Sequence, residues 1–487
     1  GGIASDYMIQ VVLDTTPRAR AAMSDATKRP PRCVAGALTP YRSPPNNTLR
    51  GVHWSPDGLC LLAASEDRKL RLFELPEKLQ SEETIAAATD DAASSNELPN
   101  PLTILEGDAI YDYAWYPAMD SAQPATCCFA SSSREHPARL WDAYTGQCRA
   151  SYVSYNHLDE IVAPHSLAFS PGTSKLYCGF ERAIRIFDIA RPGRECELRP
   201  TCATKKSRDG QRGIVSCFAF APDYSGLFAA GSFSGTTGLY VESQPGLIFQ
   251  LEKHGGGITQ LDFNHDGTLL YSAARRDGEI RCWDVRMSCK VLATYKRGGQ
   301  PTNQRIGFEL FGSASQGLIA ACQDGTVLCY DTTNPSAEAA TLLTFGDATN
   351  AATMHPKGLP LLAVATGERR YALPRGGDAS EEEEEAEEVE AVQESSNGLS
   401  VWLMPRPPPS EGVAVGEAAA AEPEPEVAAA GGSAEEEGDQ AAAETAGEPA
   451  SAPPSTEEHS LPSLYAPVAA ENGMPNLYVP VGAPAAV

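Results

Sequence analysis

The chain has 487 residues, 42% of them hydrophobic, and carries 38 Lys and Arg against 64 Asp and Glu, a formal charge of −26. That charge is unevenly placed: residues 50–375 hold 31 basic and 37 acidic residues, whereas residues 376–487 hold one basic and 24 acidic ones. The overall acidity therefore does not exclude a nucleic-acid surface on the nearly neutral part, and no run of 18 apolar residues supplies a membrane span. Thirteen cysteines with no CxxC pair favour a reducing compartment, nuclear or cytoplasmic, over a disulfide framework or a zinc site.

Residues 1–45 contain Arg29-Pro30-Pro31-Arg32 and Ser43-Pro44-Pro45 and little periodicity, so they read as a flexible arm with at most one closing strand. The first residue is not Met, which fits a truncated or processed N-terminus. From Arg50 to Trp402 a hydrophobic pattern recurs about every 45–60 residues. Trp54-Ser-Pro-Asp-Gly58, Phe169-Ser-Pro-Gly172, Phe220-Ala-Pro-Asp223 and Phe263-Asn-His-Asp-Gly267 open units. Small-residue apolar runs follow, and then Leu140-Trp-Asp142, Ile186-Phe-Asp188 or Cys282-Trp-Asp284. This is the pattern of a WD40 repeat, one four-stranded blade per period.

The expected fold is all-β: a seven-bladed WD40 β-propeller over 46–405, with a disordered acidic tail over 406–487. Third strands are expected at Leu70–Leu75, Ala138–Asp142, Ile184–Ile189, Thr237–Val241, Glu279–Val285, Thr326–Asp331 and Leu399–Leu403. Asp277-Gly278, Asp324-Gly325 and Ser234-Gly235 fit tight hairpins. Two insertions interrupt the pattern. Residues 77–100, between the first and second units, read as a solvated loop. Residues 372–396, with Glu381–Glu385, split the seventh unit and read as disordered. Ring closure calls for an outer strand from the other terminus. The segment just before Arg50 is the favoured source, and the segment after Trp402 is the alternative.

No nucleophile elbow, P-loop, HExxH or EF-hand loop occurs, so neither an enzyme nor a cofactor or small-molecule substrate has support. His157, His165, Asp159 and Glu160 could be drawn as a metal set, but a His near an inner strand more often bonds within its blade. The non-random feature is the basic rim. The loops joining second to third strands share one face with those leading into each inner strand. They carry Arg68, Arg134, Arg182, Arg275, Arg276, Arg369 and Arg370, and then Lys205, Lys206, Arg208, Arg212, Lys253, Lys296, Arg297 and Arg305. Tyr111, Tyr113, Tyr155, Phe233 and Tyr371 lie beside them. Arg with aromatic side chains suits an unpaired RNA loop, through phosphate contacts and base stacking. The plainer reading is a polar protein-binding face whose Arg residues cap hairpins. The acidic segments read as solvating or, alternatively, as competitors with RNA for this rim.

Several strings are more specific than the repeat. They are Ile110-Tyr-Asp-Tyr-Ala-Trp-Tyr116 with Ser121-Ala-Gln-Pro124, and Ala130-Ser-Ser-Ser-Arg-Glu135 before Trp141-Asp142. Tyr155-Asn-His-Leu-Asp-Glu160, Ala190-Arg-Pro-Gly-Arg-Glu-Cys196 and Thr302-Asn-Gln-Arg-Ile306 complete the set. Together they closely resemble the telomerase Cajal body protein family over roughly Thr48–Leu403. The resemblance implies a propeller that binds the CAB-box loop of small Cajal-body RNAs and telomerase RNA. It implies dyskerin-containing H/ACA particles and the telomerase reverse transcriptase complex as partners, and extends to coilin, the survival-of-motor-neuron protein and chaperonin. It implies delivery to Cajal bodies and telomeres, some cytoplasmic protein, and a scaffold role in double-strand-break repair. The candidate contact residues come from the loop placement, not from the family. Phe187-Asp188, Leu239-Tyr240 and Cys329-Tyr330 depart from the usual Trp-Asp.

Overall fold

A computed structural model describes residues 30–42, 47–87, 97–204, 209–251, 253–286, 290–370 and 397–405. Their strands form seven four-stranded sheets. The inner strands, in blade order, are Leu49–Trp54, Ile110–Trp115, Ser166–Phe169, Val215–Phe220, Ile258–Phe263, Phe308–Phe311 and Thr349–Met354. They pack against one another around a ring, and every strand pairs antiparallel with its neighbours in the blade. The third strands fall at Lys69–Glu74, Ala138–Asp142, Ala183–Asp188, Thr237–Val241, Glu279–Asp284, Thr326–Asp331 and Gly398–Leu403, within a residue of expectation.

The second strands, such as Cys128–Ser133 and Leu361–Thr366, are buried along their whole length. Their small side chains let blades stack closely. A Cβ on Gly179 would lie 2.2 Å from Ser166 Oγ and 2.6 Å from the Val215 carbonyl of the next blade. Seven hydrophobic clusters fill the seven junctions. The third-strand aromatics belong to them, Trp283 fully buried and Phe73, Phe187 and Tyr240 in equivalent places. Blade 5 keeps the usual staple: His254 bonds Asp277 at 2.9 Å and Ser272 at 2.8 Å, and Trp283 Nε1 donates to Ser272 at 2.7 Å. Blade 2 replaces the His with Glu106, which accepts from Ser131, Ser133 and Arg139.

Each junction is also tied by a hydrogen bond at the inner strands. Arg50 donates to the Ile110 carbonyl, and Leu167 N–H to Asp112 Oδ2 at 2.9 Å. Ser166 Oγ donates to the Val215 carbonyl at 2.9 Å, Ser216 Oγ to the Ile258 carbonyl at 2.6 Å, and Gln260 Nε2 to the Phe308 carbonyl at 2.6 Å. Gly307 N–H donates to the Asn350 carbonyl at 2.8 Å, and Asn350 Nδ2 to the Leu49 carbonyl at 2.8 Å. Five inner strands carry a bulge at their second residue: Arg50, Tyr111, Ser216, Thr259 and Asn350. A bulge re-aims the extra side chain, here toward the rim or the next blade.

The strand Arg32–Ala37 closes the ring by pairing with Gly398–Leu403 as the outer strand of blade 7. It comes from the N-terminal side, earlier in the chain than the segment adjoining Arg50. The 77–100 insertion lies within blade 1, between its third strand and its outer strand Leu102–Leu105. It is not simply a solvated loop. A short helix, Glu82–Ala87, and the residues Leu79, Ile85 and Leu98 bury apolar side chains against blades 1 and 7, and Glu97 bridges to Gly36 on the closing strand. The 372–396 insertion and the 406–487 tail lie outside the described residues.

Two carboxylates on adjacent inner strands, Asp262 and Glu309, hold equivalent positions in blades 5 and 6. Burial pushes Asp262 up to about 7, against bonds from the Phe263 and Leu310 backbone. Burial likewise pushes Glu309 up to about 8, and Asp262 adds to the rise; Met354 N–H and Thr353 Oγ1 oppose it at 2.6 and 3.1 Å.

Two predictions follow from closure and from these acids. Val34 is 3% exposed on the closing strand; Val34→Ala lowers the unfolding free energy by roughly 1–3 kcal/mol in urea titration, and an unchanged midpoint would mean that closure contributes nothing. The folded chain also binds the Asp262 and Glu309 protons more tightly than the unfolded chain does. That contribution is fully present below the ordinary carboxylate range and is lost as pH rises through about 7 to 8. Thermal midpoints of wild type therefore fall across this window, and Glu309→Gln flattens the fall; parallel profiles would refute the assignment.

Candidate nucleic-acid interface

The rim is built from hairpin turns between second and third strands and from the loops that lead into each inner strand. At three of these turns the left-handed residue is an arginine: Arg68 (φ 63°), Arg182 (φ 55°) and Arg276 (φ 54°). Gly235 (φ 87°) and Gly325 (φ 81°) take that role in blades 4 and 6. In blade 5, where Asp277-Gly278 was expected to form the tight hairpin, the left-handed residue is Arg276. A left-handed residue with a side chain costs on the order of 1 kcal/mol.

The structure gathers one group of the expected residues at the channel mouth. Arg275 lies over the Phe233 ring at 4.5 Å. Arg305, from the loop leading into blade 6, reaches across the channel to Asp112 on blade 2 at 3.1 Å and stays 35% exposed. Arg50 and Arg369 converge on Glu66, at 2.9 and 2.5 Å. Burial works against the Glu66 charge, but these two arginines hold its carboxyl below the usual value. Burial, then repulsion from Arg305, Arg50 and Arg369, lowers the pKa of Arg275, so these four guanidiniums act on one another electrostatically. Tyr111 stacks on His165 at 4.8 Å on the same rim. Desolvation by the surrounding protein, then the Arg305 charge, pushes His53 down to about 4.

Other candidates stand apart from this group. Arg134 is paired with Asp108 at 2.8 Å and 56% exposed, Arg182 with Glu181 at 3.4 Å, and Arg370 with Asp347 at 2.6 Å. Arg276 donates through Nε to Asn303 at 2.8 Å. Arg68 and Arg212 are exposed on the rim loops, and Lys296 is exposed at the end of the outer strand Val291–Lys296. Three expectations are corrected. Tyr113 is 8% exposed in the junction between blades 1 and 2, so it offers no stacking face. Arg297 is turned inward, donating to the carbonyls of Ile306, Ala274 and Asp277, and is structural. Tyr155 is covered by Arg194 at 4.9 Å, from the connection after the third strand of blade 3. Lys205, Lys206, Arg208 and Tyr371 lie outside the described residues.

Arg50 and His165 were not singled out as contacts by sequence. Arg50 sits inside an inner strand, and only the bulge turns it toward the mouth. Among the described residues no group of three or more His, Cys, Asp or Glu could hold a metal ion, and no helix is long and apolar enough to cross a membrane.

The WD domain, G-beta repeat family matches residues 39–74 and 246–284, the second stretch containing the full staple of blade 5. Telomerase Cajal body protein 1 of Mesocricetus auratus is 44% identical over 360 residues, 72% of this chain and 64% of that protein. Its counterpart in Homo sapiens is 44% identical over 358 residues, 72% of this chain and 63% of that protein. The chain thus spans less than two thirds of the length of these relatives. The guanine nucleotide-binding protein negative regulator 1 of Schizosaccharomyces pombe is 27% identical over 365 residues, 74% of this chain and 89% of that protein. The propeller, its repeats and 44% identity over 72% of the chain make this a WD40-repeat protein similar to the telomerase Cajal body proteins.

Proposed function

We propose that the chain is a non-enzymatic RNA-binding scaffold whose channel mouth holds a short unpaired loop. The observation that carries this is Arg275 fixed over Phe233 at 4.5 Å, in a mouth shared with Arg50, Arg305 and Arg369. Guanidiniums supply phosphate and base-edge contacts, and the Tyr111–His165 stack supplies a flat surface for an unpaired base. The RNA of this reading is the CAB-box loop of small Cajal-body RNAs and of telomerase RNA, which the sequence resemblance implies; the relatives' names support its telomerase and Cajal-body side. The partners are then dyskerin-containing H/ACA particles and the telomerase reverse transcriptase complex, and the destinations are the Cajal body and the telomere within the nucleus. A scaffold role in double-strand-break repair belongs to the same reading.

A second reading is a protein-only scaffold. It is favoured by the fission-yeast relative, whose name is that of a guanine nucleotide-binding protein regulator and whose length the chain matches at 89%. Ultraviolet crosslinking pull-down separates the two, since the scaffold reading requires no RNA above a tail-only control.

Replacing Arg275 and Arg276 with Ala lowers affinity for a CAB-box hairpin on the order of tenfold or more, and reduces the salt dependence of binding. Replacing Lys78 and Lys175 changes neither. Equal losses from both pairs would remove the RNA site from this rim.

A further inference from the structure

The mouth carries more positive charge than its own carboxylates answer. Glu66 is taken up by Arg50 and Arg369, and Asp112 by Arg305. Among the described residues no ion pair involves Arg275, and its Nε is buried with no hydrogen-bond partner. The guanidinium is nevertheless fixed over Phe233. An ordered, half-buried cation beside three others is costly unless an anion arrives to answer it. A guanidinium that feels three others suits a phosphate, which offers more acceptor oxygens and charge than a carboxylate.

We propose that the channel mouth seats a single phosphate group on Arg275, flanked by Arg50, Arg305 and Arg369, with Asp112 and Glu66 as the counter-charges that set its affinity. The RNA reading supplies one source of that phosphate, a backbone diester of the bound loop; a free polyphosphate offers the same chemistry. Asp112 acts as a positioning residue. It pulls Arg305 across the channel and also competes with the incoming anion for that guanidinium. Its other oxygen accepts from Leu167 N–H at 2.9 Å, an acceptor role that Asn retains without the charge.

Charge variants of opposite sign therefore move affinity in opposite directions. In calorimetric titrations of the full chain with inorganic tripolyphosphate at low salt, Arg275→Gln weakens binding roughly tenfold or more, while Asp112→Asn and Glu66→Gln each tighten it several-fold. Thermal midpoints measured alongside show which variants remain folded, and the two tightening variants test the site even if Arg275→Gln does not fold. The second arm uses a CAB-box hairpin with one uncharged methylphosphonate at each loop position in turn. If one position weakens wild type about tenfold but leaves Arg275→Gln unmoved, RNA is the source. If tripolyphosphate follows the charge variants and no RNA position does, the site stands with a free polyphosphate as its ligand. Tripolyphosphate binding indifferent to all three variants, together with no sensitive RNA position, would overturn the proposal. Failure of wild type to bind any RNA would instead remove the RNA reading and leave the tripolyphosphate result to decide the site.

Discussion

Everything at the mouth depends on the closed ring of inner-strand hydrogen bonds. Seven junctions each contribute at least one, from Arg50 on the Ile110 carbonyl to Asn350 on the Leu49 carbonyl. A ring of blades has no redundancy: opening one junction releases the spacing of all the others. That is why the strand Arg32–Ala37 matters beyond its length, since it gives blade 7 an outer strand and seals the last junction. The 77–87 segment and Leu98 pack over the same seam, so an insertion in blade 1 reinforces it.

Closure also creates contacts that no single blade could specify. Arg305 and Asp112 are 193 residues apart and sit on blades that are not neighbours. Their pair exists only because the ring holds the two walls of the channel at a fixed distance. The desolvation of a partly buried ion pair offsets much of its Coulomb gain, so it adds little to stability. Its consequence is electrostatic: it sets one arginine across the channel and leaves Arg275 without a carboxylate. The acids Asp262 and Glu309 lie on the inner strands farther from the rim, with upward-shifted pKa values that keep much of their charge out of the channel near neutral pH. The result is a cationic mouth on a chain whose total charge is −26.

Most of the architecture was legible because a blade writes itself in period-2 strands, small-residue second strands and third-strand aromatics. The site was legible only in part, for a local reason. A strand without bulges would place Tyr111 and Tyr113 on the same face. The register shift between Ile110 and Asp112 breaks that parity, so Tyr111 stays at the rim, Asp112 meets Arg305 and Tyr113 enters the core. The same device sends Arg50 to the mouth. Lys296 and Arg297 show the complementary problem: adjacent basic residues diverge, one exposed and one spent on three carbonyls. Side-chain direction inside a loop is set by which carbonyls the fold leaves unpaired, and composition does not carry that information.

Engagement of RNA by the mouth face is directly measurable, because aromatic side chains are available on both faces. Phe233, Tyr111 and His165 lie at the mouth, while Tyr144 and Tyr224, 54% and 78% exposed, lie on turns of the opposite face. Ultraviolet crosslinking of a CAB-box hairpin to the full chain, read residue by residue by mass spectrometry, places the RNA on Phe233, Tyr111 or His165 if the account is right. Crosslinks confined to Tyr144, Tyr224 or the outer strands would contradict it.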